Sequence, residues 1–206
     1  MKHLLPPITI YDLETTGMSP EYDRIIQIAA VKMLHGRMCP EECFCSYVNP
    51  GRRIPAWITQ YTGITNEDVK DAPPIESVLA RFSRWSGESV LLAHNGNRFD
   101  IKFIQSACGY CGFQPRPVQY CDSMLMSWQL WGRRGMSHGL DAVIDRLGVD
   151  ADGLRRHDAR GDALLLGRCV ERIFDLYLQA NGELPDLKLK TGFLPDVGFE
   201  RICRTI

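Results

Sequence analysis

The segment Ile25–Leu34, which reads IIQIAAVKML, constrains the fold more than any other part of the sequence. It is apolar almost throughout, and this pattern predicts a strand that is buried on both faces, as in the sheets of α/β proteins. The segment is far shorter than the ~20 apolar residues that a membrane-spanning helix needs. The sheet that contains it should therefore be central and flanked by helices.

Weaker signals on either side of this segment agree with that prediction. Apolar runs predict four more strands, at residues 8–14, 43–48, 90–93 and 118–121. Helical spacing of apolar residues predicts helices that begin near residues 55, 75, 101, 123, 140 and 158. Strands followed by alternating helices and strands indicate an α/β fold with a mixed sheet. We expect this domain to occupy residues 1–180, followed by a C-terminal appendage at 181–206.

Composition excludes several classes of protein. The chain has 206 residues, a net charge of −1, 45% hydrophobic and 24% charged residues, which is the balance of a soluble globular protein. Neither intrinsic disorder nor a coiled coil fits that balance. The absence of a signal-peptide core predicts a cytoplasmic protein with no membrane partner. Because the net charge is near zero, binding of nucleic acid would require locally grouped basic residues.

The eight cysteines favour no metal site of their own. Cys108 and Cys111 have the spacing of zinc ligands, but Cys39, Cys43 and Cys45 do not make a common second pair. A structural zinc site is the minor alternative. We prefer the interpretation that the cysteines are reduced and serve as small buried apolar residues.

Three acidic segments are candidates for a catalytic site. Asp12 and Glu14 lie two residues apart at the end of the first strand, so both should project from the same face. Asp100 follows a strand and precedes a helix, where it could point over the end of the sheet or cap that helix, and a single aspartate at such a position is more often a cap. Asp162 belongs to the first turn of the last long helix, and His157 lies in the loop before it. For that pair, the alternative is a surface histidine beside an acid that favours the helix dipole.

Taken together, these segments resemble the motifs of the DEDDh 3′–5′ exonucleases. They read DLETTG at 12–17, HNGNRFD at 94–100 and HDARGD at 157–162, and YTGIT at 61–65 matches a further signature of that family. The resemblance covers residues 8 to 180, and details of the second and third motifs are most similar to the exonuclease I type. It implies a ribonuclease-H-like fold with the carboxylates at one edge of the central sheet.

The resemblance also implies a mechanism in which two Mg²⁺ or Mn²⁺ ions assist phosphodiester hydrolysis. Asp12 would bridge both ions, Glu14 and Asp162 would complete the site of one ion, and Asp100 would support the other. His157 would accept the proton of the attacking water. Carboxylate ligands suit these hard ions, and an imidazole suits proton transfer near neutral pH.

The same resemblance suggests the residues that bind substrate. Thr15, Thr16 and Gly17 are similar to the segment that holds a terminal 3′-hydroxyl in that family. Met18 and Phe99 would stack on the last base, although such side chains are more often part of a core. Asn95 belongs to the second motif and completes the set.

We therefore predict a 3′–5′ exonuclease that releases nucleoside 5′-monophosphates from the 3′ ends of single-stranded DNA. RNA as substrate is the nearest alternative, because no residue reports on a 2′-hydroxyl. A catalytically inactive module that binds nucleic-acid ends is another. The sequence identifies no protein partner.

Overall fold

The computed structural model describes residues 5–151 and 153–198 and confirms the predicted α/β architecture. Six strands form one mixed sheet in the order β3-β2-β1-β4-β5-β6. β1 pairs antiparallel with β2 and parallel with β4, and β4 pairs parallel with β5. The strands are β1 (Ile8–Thr15), β2 (Ile25–Leu34), β3 (Arg37–Tyr47), β4 (Val90–Ala93), β5 (Pro115–Asp122) and β6 (Lys190–Pro195).

Seven helices in the described residues cover the two faces of this sheet. Most begin and end where the local signals place them. Ser123–Trp131 and Leu140–Leu147 have the predicted bounds, and Asp158 caps the last helix as expected. The helices are α1 (Ala56–Thr62), α2 (Asn66–Val69), α3 (Ile75–Ser86), α4 (Asp100–Tyr110), α5 (Ser123–Trp131), α6 (Leu140–Leu147) and α7 (Ala159–Asn181).

The two faces of β1 pack into different cores because side chains alternate along a strand. Ile8 and Ile10 belong to the core formed with α5, α6 and α7, and Tyr11 and Leu13 belong to the core formed with α3 and α4. By the same alternation, Asp12 and Glu14 continue the face of Ile8 and Ile10. The alternation therefore directs both carboxylates toward the side of the sheet that α7 covers.

Two parts of the sheet differ from the sequence-based expectation. β3 begins at Arg37, six residues before the predicted strand, and its register with β2 shifts between Val31 and Lys32. The segment expected to be an appendage, 181–206, contributes β6, which pairs antiparallel with β5 from Tyr120–Lys190 to Pro115–Pro195. An edge strand needs only one partner and one buried face, so its sequence carries a weak signal. The division at residue 180 stays a prediction.

The cysteines divide by position. Cys108, Cys121 and Cys169 are buried, which agrees with their interpretation as small core residues. Cys43 and Cys45 are exposed on the edge strand β3, so that interpretation is wrong for them. Cys203 lies outside the described residues. In the described ranges, no helix is both long and apolar enough to cross a membrane.

Candidate active site

Three of the predicted acidic residues converge at one end of the sheet. β1 pairs with β4 only from Ile8 to Ile10, so the end of β1 that carries Asp12 and Glu14 runs beyond its parallel neighbour. The first turn of α7 packs on the same face and supplies Asp162. Carboxylate oxygens of these three residues all lie within 4.8 Å of one another. Across residues 5–151 and 153–198, no other group of three acidic, histidine or cysteine side chains is close enough to hold a metal ion.

Asp100 approaches this group from the opposite side of the sheet. It is the first residue of α4 and does not cap the helix, because the N-cap position is Phe99. Its carboxylate is buried and accepts a hydrogen bond from the backbone N–H of Leu13, next to Asp12. Asp100 lies outside the group of three, yet its charge is the largest Coulombic contribution to the raised pKa of Asp12. Four carboxylates therefore share one electrostatic environment.

Burial and mutual repulsion make the ionised forms of these carboxylates unfavourable. The pKa of Asp12 is raised well above its usual value by burial and then by the charges of Asp100 and Glu14. Burial, followed by the charges of Asp158 and Asp100, raises the pKa of Glu14 to about 7. Burial also raises the pKa of Asp100 to about 7. A divalent cation would remove the repulsion, and oxygen-only donors at this spacing suit Mg²⁺ or Mn²⁺.

Arg156 is the positive charge closest to this group. Its guanidinium bridges two acids, with Nε donating to Oδ1 of Asp141 over 2.6 Å and Nη1 donating to Oδ1 of Asp162. Its charge lowers the pKa values of Asp12 and Glu14 and so partly offsets the effect of burial. The sequence did not predict this contact, because Asp141 lies on α6 and Asp162 on α7.

His157 lies at the rim of the site, in the loop before α7. Its backbone has a left-handed φ of 59°, and its N–H donates to Oδ2 of Asp162 over 3.2 Å. The imidazole stacks on the ring of Tyr61, with centroids 3.9 Å apart. Burial and then the charge of Arg156 lower its pKa. The ring is therefore mostly neutral at pH 7 and able to accept a proton.

Two contacts hold the start of α7, and with it His157 and Asp162, against the sheet. The side chain of Gln27 on β2 donates to Oδ1 of Asp158 over 2.7 Å and accepts from the N–H of Ala159 over 3.0 Å. Gly161 allows the first turn of α7 to pack closely on the preceding loop, because a Cβ there would lie 2.1 Å from the carbonyl oxygen of Arg155. Gln27 is one of two buried polar residues, with Lys32, in the largely apolar strand β2, and that signal could have identified it.

Residues Thr15 to Gly17, at the end of β1, are held by one hydrogen bond among themselves and by bonds between Thr16 and the turn just before β2. Thr15 Oγ1 donates to the carbonyl of Gly17, and Thr16 Oγ1 donates to Asp23 and accepts from the N–H of Arg24. A Cβ at Gly17 would lie 2.4 Å from the Asp23 carboxylate, so a larger residue there would displace that side chain from its hydrogen bonds to Thr16 and Ser19. Met18 is 71% exposed and free to contact a substrate. The predicted binding of a terminal hydroxyl by this segment stays a prediction.

The loop between β4 and α4 is organised by Asp122, a residue that the sequence analysis missed. The buried carboxylate of Asp122 accepts from the backbone N–H groups of Asn95, Asn97 and Met124, at 2.9–3.1 Å. Asn95 has a left-handed φ of 59°, which this anchoring supports. Phe99 is half-buried against Phe103, with centroids 4.8 Å apart, so one side of it belongs to the core. The N-cap position of Asp122 before α5 was the available signal.

Comparisons with known proteins agree with this arrangement. The exonuclease family model, RNase_T, matches residues 9–168. The PolC-type DNA polymerase III of Staphylococcus aureus is 32% identical over 177 residues, which are 85% of this chain and 12% of that polymerase. The chain thus spans about one eighth of the length of this relative.

Two solved structures show the same fold. The nuclease domain of 3′hExo, a DEDDh family member bound to rAMP, superimposes with a TM-score of 0.74 at 23% identity, over 90% of this chain and 98% of that one. Escherichia coli exonuclease I in complex with a dT13 oligonucleotide gives a TM-score of 0.70 at 18% identity, over 85% of this chain and 42% of that one. All of the predicted catalytic residues lie within the segment that matches the family.

Proposed function

The chain belongs to the exonuclease family, and we propose that it is a metal-dependent 3′–5′ exonuclease that acts on single-stranded DNA. The observation that carries the proposal is the convergence of Asp12, Glu14 and Asp162 within 4.8 Å, with Asp100 beside them. Structural stability gives no reason to bury so many like charges together. A nuclease that uses divalent ions needs such a group.

The residues present fit the binding of two divalent ions. Asp12, Glu14 and Asp162 would hold one ion, and Asp12 together with Asp100 would hold the second. When bound, such ions activate the attacking water, stabilise the leaving oxygen and neutralise charge on the phosphoryl group. Their presence would also stabilise the ionised forms of Asp12 and Glu14, whose pKa values are raised by burial and by neighbouring negative charges.

The protein's own groups supply the proton transfer and the positioning. In this proposal the neutral imidazole of His157 accepts a proton from the attacking water, and its lowered pKa keeps it neutral near pH 7. The stack on Tyr61 and the bond from its N–H to Asp162 fix its place at the rim. The product of the reaction would be a nucleoside 5′-monophosphate.

The segment that follows β1 supports action on a chain end. Thr15, Thr16 and Gly17 directly follow the acidic pair. Their hydrogen bonds to one another and to Asp23 and Arg24 give this segment a fixed shape beside the carboxylates. We place the terminal 3′-hydroxyl there, with Met18 and the half-buried Phe99 against the last base. Unstacked terminal bases favour a single strand, because no duplex has to be melted.

The test compares end-labelled single-stranded DNA, duplex DNA and RNA, each with Mg²⁺, with Mn²⁺ and with EDTA. We expect stepwise release of mononucleotides from the 3′ end of the single strand, abolished by EDTA and restored by either ion. A 3′-phosphate should slow the reaction. Full activity in EDTA, or efficient cleavage of circular single-stranded DNA, would contradict the proposal. Faster digestion of RNA than of DNA would support the proposed mechanism but identify RNA as the substrate.

A further inference from the structure

Arg156 occupies a position that internal ion pairing explains only in part. Its guanidinium lies between Asp141 and Asp162, and its side chain is 25% exposed, whereas that of Asp162 is only 8% exposed. Of the two described bonds, one uses Nε and the other uses Nη1. Nη2 has no hydrogen-bond acceptor among residues 5–151 and 153–198. A planar donor group thus faces the carboxylates and still has a donor to offer.

The two acids that hold Arg156 play different parts. Oδ2 of Asp162 accepts the N–H of His157, and Oδ1 accepts from Nη1 of Arg156, so a cation bound through Oδ1 would compete with Arg156 for that oxygen. Asp141 is 69% exposed on the first turn of α6 and is not one of the clustered acids. The bond from Nε to Asp141 can therefore persist when a cation binds Oδ1 of Asp162 in place of Nη1. Arg156 would then stay at the rim with both terminal nitrogens available.

A guanidinium in that position is suited to one ligand in particular. Its planar, permanently charged donors match the non-bridging oxygens of a phosphodiester, which must come next to these carboxylates to be hydrolysed. The charge of Arg156 acts on Asp12, Glu14 and His157, so it also lies close to the reacting atoms.

We propose that Arg156, anchored through Nε on Asp141, donates to a non-bridging oxygen of the scissile phosphate. This inference rests on the proposed function and adds to it a residue that contacts the phosphate. The contact helps to bind the substrate. It becomes stronger as negative charge develops on the phosphoryl group during the reaction.

Binding of the reaction product tests this contact without any turnover. Calorimetry with Mg²⁺ would compare thymidine 5′-monophosphate with thymidine, which differs only by the phosphate. We expect Arg156→Ala to weaken binding of the monophosphate by ~10–10²-fold and to leave binding of thymidine unchanged. Arg156→Lys should recover part of the loss, because the charge remains but the planar donors do not.

A matched control removes an arginine from a similar ion pair elsewhere. Arg37 donates to both carboxylate oxygens of Asp175, near the far end of α7 from Asp162. Arg37→Ala changes the net charge equally and should leave the affinity for the monophosphate as in the wild type. Thermal melting of all variants, and their affinity for Mn²⁺ measured by electron paramagnetic resonance, complete the set.

Each outcome supports or overturns the inference. Arg156→Ala should bind Mn²⁺ at least as tightly as the wild type, because a competitor for Asp162 has been removed. If the variant bound the monophosphate as the wild type does, or lost it only together with Mn²⁺ or the fold, the phosphate contact would be wrong. A wild-type protein without Mg²⁺-dependent nuclease activity would instead overturn the proposed function itself.

Discussion

Two aspartates near strand ends of the same sheet, the half-buried Asp12 on β1 and the buried Asp122 on β5, have opposite surroundings. Asp122 accepts three backbone N–H groups and fixes the loop between β4 and α4. Asp12 accepts no hydrogen bond in the part of the chain that the structure describes, and Asp100 and Glu14 repel its charge. A carboxylate that stabilises the fold is satisfied by the fold. A carboxylate that binds a ligand lacks hydrogen-bond donors and positive charge within the fold, and the ligand supplies the missing positive charge.

The largest expected effect comes from Asp12→Ala, which separates activity from stability. We expect the exonuclease rate to fall by at least ~10³-fold, because the charge stabilisation supplied by divalent ions is worth several kcal/mol. In EDTA the free energy of unfolding should be equal to or higher than that of the wild type, because repulsion among buried carboxylates is relieved. Rates on labelled single-stranded DNA and urea titrations in EDTA measure the two effects. A rate within tenfold of that of the wild type would show that Asp12 is not part of the catalytic site.

His157→Ala should be nearly as harmful to the rate but not to metal binding. A general base contributes ~10²–10⁴-fold, and we expect a loss in that range. Because His157 is assigned as a base and not as a ligand, the affinity for Mn²⁺ should stay close to that of the wild type. Asp12→Ala is the matched variant that should lose Mn²⁺. If calorimetry showed that His157→Ala loses Mn²⁺ and Asp12→Ala keeps it, the roles of base and metal ligand would have to be exchanged.

Asp122→Ala applies the same substitution to the satisfied aspartate. It removes an N-cap and the acceptor of two further N–H groups in a partly buried loop, so we expect a loss of about 2–4 kcal/mol in the free energy of unfolding. Urea unfolding in EDTA measures this loss against Asp12→Ala. Equal losses in the two variants would mean that Asp12 is also satisfied by the fold, and the comparison would fail.

The sequence could predict the parts of the fold that depend on local signals. The bounds of α5 and α6 and the cap of α7 follow from residues such as Asp158 and Gly148, which act within one helical turn. β6 could not be predicted, because β5, its partner in the described sheet, lies 70 to 80 residues earlier in the chain. The early part of β3 escaped detection because Pro40 and two glutamates interrupt it on an exposed edge.

The candidate site divides in the same way. The period of two along a strand was enough to place Asp12 and Glu14 on one face. The order of the motifs along the sequence was enough to assign Asp100 and Asp162 to the same site. The groups that hold this site in shape come from distant elements. Arg156 meets Asp141 from another helix, and Gln27 reaches Asp158 across 131 positions of sequence. Contacts of this kind depend on tertiary packing, which a pattern in one segment does not encode.

A buried cation sharpens the comparison and gives the smallest expected effect. Lys32 on β2 donates to Thr9 Oγ1, Ser89 Oγ and the carbonyl of Ser86, at 2.7–3.0 Å, so the fold satisfies all three of its hydrogens. Burial nevertheless lowers its pKa from 10.5 to about 8. Between these two values the unfolded chain binds more protons than the folded chain, so this residue makes the free energy of unfolding rise with pH.

Lys32→Met should abolish that rise and leave the other titrations unchanged. From pH 7 to pH 9 we expect the free energy of unfolding of the wild type to increase relative to the variant by about 1 kcal/mol, a value that allows for partial screening by solvent. Urea titrations at both pH values, in EDTA, measure the difference. The site carboxylates contribute equally to both proteins and cancel. Parallel pH profiles would show that Lys32 keeps an ordinary pKa, and that three good acceptors can fully replace water around a buried charge.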